Sequence, residues 1–173
     1  LPVADGGEGT TEALISATQG RYFSTQVMGP MGELVNTSWG MLGNSKTAVI
    51  EVANACGLSL VPLESRNPMI ATSYGVGELI LAAVNEGANH IIIGLGGSAS
   101  NDGGAGLLQA LGVRLLDISG NQLSQGGGSL SSLSSIDPGA IDSRLQGVSF
   151  EVACDVDNPL LGPKGASVVF GAQ

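Results

Sequence analysis

The residues whose types are best suited to chemistry lie in a glycine-rich loop that follows an apolar run. The run spans residues 90–95, and the loop reads Gly96-Gly97-Ser98-Ala99-Ser100-Asn101-Asp102-Gly103-Gly104. Glycines let successive backbone N–H groups turn toward one point, and a following helix adds partial positive charge there, which suits a phosphate group. We therefore predict that this loop binds a phosphorylated ligand; the alternative is a structural turn at the end of a strand.

An Asp-Gly-Gly-x-Gly pattern occurs twice, at residues 5–9 and 102–106, and each copy precedes a predicted helix. Each aspartate could simply cap its helix. Capping needs no trailing glycines, however, and each glycine costs a helix about 1 kcal/mol relative to alanine. The pattern therefore favours carboxylates, those of Asp5 and Asp102, that orient an attacking hydroxyl or reach a metal ion through water.

A second acidic pair, Asp155 and Asp157, ends the strand-like run over residues 148–154. In an extended chain, alternate side chains point to the same side and lie about 6–7 Å apart. Together with Asn158 they could hold Mg²⁺ through oxygen ligands or waters, as phosphoryl transfer requires. A solvated turn ahead of Pro159 is the alternative.

Few basic residues could balance a phosphate. Arg66 lies in a predicted loop ahead of Pro68, and Lys164 lies in a Gly-Pro-Lys-Gly turn. Either could contact a carboxylate or phosphate oxygen, arginine through a bidentate pair. His90 stands at the entrance of a predicted strand and is given no catalytic role.

The glycine loop also contains a dinucleotide-binding fingerprint, Gly94-x-Gly96-x-x-Ala99, with Asp117 about twenty residues later. A NAD-dependent oxidoreductase that uses Asp117 for the ribose therefore stays open. Against it, the predicted helix begins well beyond Ala99, and Asp102 would place a carboxylate beside the pyrophosphate. A non-catalytic domain that binds a phosphorylated ligand is a further alternative.

Periodicity predicts the elements that position these loops. Apolar residues at helical spacing predict helices over residues 10–19 and Tyr74–Asn85. Three strand-like runs, at Arg21–Met28, 34–42 and 47–52, are separated by turn residues, which indicates an antiparallel meander.

The second half of the chain predicts alternating strands and helices. Residues 90–95, 113–116 and 148–154 read as strands, residues 140–145 as a short helix, and residues 124–135 as a surface loop or weak edge structure. No linker divides the chain, so residues 1–173 are predicted to form a single α/β domain with a mixed sheet and glycine-rich strand-to-helix loops.

Composition excludes several classes of function. The chain has 173 residues, 43% of them apolar, and a formal charge of −9. This charge disfavours nucleic acid and anionic membranes as partners, and no apolar run is long enough to span a bilayer. Cys56 and Cys154 are too few for a disulfide framework and are predicted to be buried free thiols of a cytoplasmic protein.

Four longer motifs follow one another along the chain. They are Pro2-Val3-Ala4-Asp5-Gly6-Gly7-Glu8-Gly9-Thr10; Arg66-Asn67-Pro68 leading to Thr72-Ser73-Tyr74-Gly75-Val76-Gly77-Glu78-Leu79-Ile80; the loop from Gly94 to Gly106; and Ala153-Cys154-Asp155-Val156-Asp157-Asn158-Pro159-Leu160. In this order they resemble the bacterial glycerate kinase family, and the resemblance covers essentially the whole chain.

The resemblance implies transfer of the ATP γ-phosphoryl group to D-glycerate, giving 2-phosphoglycerate, with Mg²⁺, in a cleft between two α/β domains. By motif it implies the following residues: Asp5 and Asp102 as catalytic; Arg66, Asn67 and Glu8 for glycerate; Gly96, Gly97, Ser98, Asn101, Gly103 and Gly104 for nucleotide or phosphate; and Asp155 and Asp157 for the metal. ATP and D-glycerate are the expected partners, and homo-oligomerisation is left open.

The chain departs from the family pattern at both ends. Family members carry an amino-terminal Asp-Ser-Phe-Lys stretch, whose lysine is a natural phosphate ligand, and they continue past the position of Gln173. We therefore expect a central fragment of a longer kinase, contributing one of its two domains. Because phosphoryl transfer needs groups from both sides of a site, the fragment alone is expected to have weak or no activity.

Overall fold

The computed structural model describes residues 6–171, in which helices cover a five-stranded mixed sheet and a separate two-stranded sheet stands beside it. The large sheet has the spatial order β1 (Arg21–Met28), β2 (Leu34–Met41), β3 (Thr47–Glu51), β4 (His90–Gly94) and β7 (Ser149–Ala153). The small sheet pairs β5 (Arg114–Leu116) with β6 (Ser135–Asp137). The helices are α1 (Thr10–Thr18), α2 (Val52–Cys56), α3 (Tyr74–Asn85), α4 (Ala105–Ala110) and α5 (Ala166–Phe170). The predicted mixed α/β class is confirmed.

The sheet changes from antiparallel to parallel at β3. β1 pairs with β2 and β2 with β3 in antiparallel register, which confirms the meander. Phe23 and Trp39 face each other across β1 and β2, and their rings stack with centroids 4.4 Å apart. β3, β4 and β7 run parallel, and their carboxyl ends bring Glu51, Gly94 and Ala153 into one row. The loops that leave this row define the site described below.

Apolar strands and α3 form the core. All five residues of β3 are buried, as are Ile91 and Ile93 of β4, in agreement with the continuous apolar run. α3 packs against β1, β2 and β3 and contributes Val76, Leu79 and Ile80 to the core. Within residues 6–171, no helix combines the length and apolar character needed to cross a membrane.

Helices α3 and α4 approach each other closely because glycine occupies the contact. A Cβ atom at Gly77 would lie 2.5 Å from the carbonyl oxygen of Leu107 and 2.6 Å from the Cβ atom of Ala110. Gly106, near the start of α4, permits a second close contact between the two segments. A Cβ atom at Gly106 would clash with Thr72 Oγ1, which lies just ahead of α3. The two helix starts therefore lie against each other beside the glycine loop.

The strand predicted over residues 47–52 is confirmed as β3, which ends at Glu51, where the short helix α2 begins. Other local details differ from the predictions. The helix predicted over residues 140–145 is a single 3₁₀ turn, Ser143–Leu145. The segment 124–135, predicted as a surface loop or weak edge structure, contains the 3₁₀ helix Gly127–Ser132 and the start of β6. Cys154 is exposed, although both cysteines are free thiols as predicted.

Candidate functional site

A cleft of about 450 Å³ opens at the carboxyl ends of the parallel strands. Its described lining includes these residues from four segments: Arg66, Asn67, Pro68 and Ala71; Gly96, Gly97, Ser98, Ala99, Ser100 and Asn101; Cys154 and Asp155; and Phe170 and Gly171. Carboxyl ends of parallel strands are where α/β proteins usually bind ligands. Three of the four sequence motifs, those that begin at Arg66, Gly94 and Ala153, therefore contribute residues to this cleft.

The glycine loop forms one wall of the cleft, and hydrogen bonds to residues 56 and 58 hold its backbone in place. The amide of Ala99 donates to Cys56 O at 2.7 Å, and Gly97 O accepts from the Leu58 amide at 2.9 Å. Gly97 has a φ of +75°, a left-handed conformation that favours glycine. Among the residues that the structure describes, none accepts a hydrogen bond from the amides of Ser98 or Asn101, so these N–H groups are available to an anion.

A second wall of the cleft contains Arg66, the only cationic residue in the described lining. Its Nη2 donates to Leu58 O at 3.1 Å and its Nε to Val61 O at 3.4 Å, which fixes the half-buried guanidinium. No carboxylate within residues 6–171 forms an ion pair with it. Arg66 therefore keeps N–H groups for an anionic ligand, in a protein whose formal charge is −9.

Of the two predicted metal ligands, the structure brings only Asp155 to the cleft. Asp155 is exposed and follows β7 beside Cys154, whereas Asp157 is not among the described lining residues. Neighbouring Asn158 uses its amide to donate to Lys164 O at 3.0 Å. Within residues 6–171 there is no group of three or more acidic, histidine or cysteine side chains arranged for a metal ion.

Asp102, predicted to act on the substrate hydroxyl, is instead buried behind the loop with 2% of its surface exposed. It accepts hydrogen bonds from the amides of Ser73, Gly104 and Gly106 and from Ser73 Oγ. Because both carboxylate oxygens are already occupied, Asp102 does not face the cleft as the sequence suggested. Its contacts lie at the starts of both α3 and α4, and the N-cap residue of α4 is Gly104, so Asp102 is not a simple helix cap either.

The remaining predicted residues divide between structural positions and residues outside the structure. Gly103 and Gly104 have φ values of +60° and +79°, so the turn itself requires glycine there, and neither lines the described cleft. Glu8 is exposed and is also absent from that lining. Asp5 lies outside the described residues.

The dinucleotide-binding alternative lacks the geometry that it requires. Its fingerprint needs β4 and the strand carrying Asp117 to be parallel neighbours, but β5 pairs with β6 in the small sheet. The carboxylate of Asp117 binds a local turn, accepting from the amides of Ser119 at 2.8 Å and Asn121 at 2.9 Å. Asp117 is thus a turn residue.

Two buried side chains near the cleft make contacts that the sequence did not predict. Cys56 is buried, its thiol lies 3.5 Å from Ser100 Oγ, and burial raises its pKa to about 11. Glu51, at the end of β3, is buried and accepts the Thr11 amide at 2.6 Å, which anchors the start of α1. A glutamate at the end of an apolar strand was the only available signal for that contact.

Comparison with known proteins points to one family. The model of the glycerate kinase family matches residues 1–173. The chain is 61% identical to a glycerate kinase of Bacillus subtilis (strain 168) and 58% identical to a glycerate 2-kinase of Escherichia coli (strain K12), in each case over 100% of this chain and 45% of the relative.

A solved structure gives the same result. The crystal structure of a candidate glycerate kinase 2 from Salmonella typhimurium LT2 superposes with a TM-score of 0.96 at 55% identity, covering 100% of this chain and 47% of that one. The chain thus spans about half the length of the relatives that it matches. A family model that matches every residue, together with this fold, shows that the chain belongs to the glycerate kinase family.

Proposed function

We propose that the protein containing this chain transfers the γ-phosphoryl group of ATP to D-glycerate, giving 2-phosphoglycerate, and that the described cleft holds the reacting groups. The observation that carries the proposal is that Arg66 and the glycine loop, whose Ser98 and Asn101 amides have no acceptor within residues 6–171, line one cleft of an acidic protein. The names of the relatives, glycerate kinase and glycerate 2-kinase, support the substrate and the position of transfer.

Two anions would have to be held close together for this reaction. Arg66, with Asn67 beside it, would bind the glycerate carboxylate on one wall. The amides of the glycine-loop wall at residues 97, 98 and 101 would bind phosphate oxygens of ATP. The Gly96 amide, predicted to share this role, already donates to Gly6 O at 3.2 Å. Catalysis of phosphoryl transfer consists mainly of positioning the reactants and stabilising their charge. A cleft with two anion-binding walls would supply both.

The end of β7 would supply part of the ligand set of a magnesium ion. Asp155 offers an exposed carboxylate at the cleft, and oxygen ligands of this kind are the ones that Mg²⁺ prefers. We assign Asp155, with Asp157 as the second carboxylate, to the ion. When bound, Mg²⁺ would neutralise the charge of the transferred phosphate.

The site of the reaction is completed by parts of the protein beyond this chain. The chain spans 45% of its curated relatives, so the rest of the protein would supply a further side of an interdomain cleft, beyond the two walls in this chain. The chain alone is therefore expected to show weak or no turnover. Its free thiols support a reducing, cytoplasmic location.

The test measures ADP release by the full-length protein with ATP, Mg²⁺ and D-glycerate, with the product identified by phosphorus NMR. We expect glycerate-dependent ADP release and a phosphate on the 2-hydroxyl. Asp155→Asn should raise the Mg²⁺ concentration needed for half-maximal rate, whereas Asp117→Asn, a control in a remote turn, should not. A folded protein that releases no ADP in response to glycerate would refute the proposal.

A further inference from the structure

We propose that Asp102 and Ser73 form a clasp that sets the distance between the two walls of the cleft, and hence that both are positioning residues. The Asp102–Ser73 clasp comprises these two side chains and the backbone amides that they bind. Its structural part stands on the contacts alone; its consequence for turnover rests on the proposed function.

The clasp is a closed set of hydrogen bonds in the interior. Asp102 Oδ2 accepts from the Ser73 amide at 2.9 Å and the Gly106 amide at 3.1 Å, and Oδ1 accepts from the Gly104 amide at 3.0 Å. Ser73 Oγ lies 2.9 and 3.0 Å from the two oxygens and itself accepts the Leu107 amide at 3.0 Å. Ser73 is the N-cap residue of α3, but its side chain makes no capping hydrogen bond to that helix.

The clasp joins the walls because of where its two residues stand. Asp102 directly follows Asn101, the last residue of the glycine-loop wall. Ser73 comes two residues after Ala71, the last residue of the Arg66 wall. At the other end, the walls are linked through Leu58, whose carbonyl accepts from Arg66 and whose amide donates to Gly97 O. The two walls are therefore connected at both ends, through Leu58 at one end and through the clasp at the other.

The chemistry of the clasp requires a carboxylate. Each oxygen of Asp102 accepts at least one backbone amide, so an asparagine side chain would point its NH₂ at a backbone donor in either orientation. Ser73→Ala is a milder change, because it removes the hydroxyl and leaves the Ser73 amide bonded to Asp102.

Hydrogen exchange in the full-length protein tests the clasp without reference to catalysis. The reporters are the amides of Ala71 and Ala99, which are hydrogen-bonded in opposite walls and lie outside the clasp. In Ser73→Ala we expect both to exchange about tenfold faster relative to the β4 amides. The control Asp117→Asn should leave both unchanged. Equal acceleration of wall and β4 amides, or changes confined to residues 73–76 and 102–107, would overturn the proposal.

A double-mutant cycle with Arg66→Ala tests the consequence for turnover. If the clasp acts by holding Arg66 opposite the glycine loop, Ser73→Ala should lower kcat/KM for glycerate about tenfold when Arg66 is present and less than about threefold when it is absent. Equal effects in both backgrounds would contradict positioning. If the unaltered protein shows no glycerate-dependent turnover, the proposed function fails, and the exchange measurement still decides the clasp.

Discussion

At the scale of single residues, the proposed function makes Arg66 the side chain on which glycerate binding would depend most. Replacing it with alanine should remove a charge-assisted bidentate contact, which contributes about 1.5–3 kcal/mol. We expect the KM for glycerate to rise about 10- to 100-fold in steady-state assays of the full-length protein. Arg114→Ala is the control, because its exposed ion pair with Asp137 lies outside the described lining. An unchanged KM in Arg66→Ala would exclude Arg66 from substrate binding.

Cys56 gives a prediction for alkaline pH. Burial raises its pKa from 9.0 to about 11, so the folded state retains the thiol proton at pH values where the unfolded chain loses it. The resulting stability is fully present below pH 9 and is lost as the pH rises from 9 to 11, by about 2–3 kcal/mol in total. Urea unfolding at several pH values should show this decline for the natural chain and a smaller one for Cys56→Ala. Parallel curves for the two proteins would contradict the assignment.

Residues that signal chemistry by type could be predicted from the sequence, but their burial could not. Arg66 stands out because cations are rare in this chain. The glycine loop stands out because glycines reduce stability and therefore indicate a functional requirement. Asp102 looked catalytic by the same logic. Its partner Ser73 is 29 positions away, and only the tertiary contact between the starts of α3 and α4 shows that the carboxylate is already occupied.

At the scale of elements, the contact between α3 and α4 depends on Gly77. Replacing a glycine within a helix by alanine normally stabilises the helix by about 1 kcal/mol. Here the added Cβ atom would lie 2.5 Å from a backbone carbonyl oxygen, so the helices would have to separate. We expect Gly77→Ala to destabilise the protein by about 1–3 kcal/mol in urea unfolding. A higher unfolding midpoint would show that the two helices have room to adjust.

Elements with strong periodicity could be predicted, and short ones could not. The meander, α3 and β4 follow from alternation, helical spacing and a continuous apolar run. α2 has only five residues and continues an apolar strand, so its sequence carries no separate period. The pairing of β5 with β6, away from β4, is a tertiary outcome that local pattern does not contain.

At the scale of the whole molecule, the edge strand β7 leaves an apolar strip uncovered in this chain. Phe150 and Val152 alternate along β7 with 46% and 54% of their surfaces exposed, and Leu161 is 80% exposed. Exposed apolar edge strands promote association. We expect the 173-residue chain to self-associate with rising concentration in sedimentation velocity experiments, and Val152→Lys to reduce this. A monomer at all concentrations would contradict the prediction.

The location of the reaction can be tested at Cys154, an exposed thiol in the cleft lining, while buried Cys56 serves as the unreactive internal control. The measurement is the alkylation rate of Cys154 in the full-length protein, followed by peptide mass spectrometry. ATP, Mg²⁺ and D-glycerate together should slow alkylation at least about fivefold, and NADH should not. An unchanged rate in a protein that turns over glycerate would place the reaction outside this cleft and contradict the account.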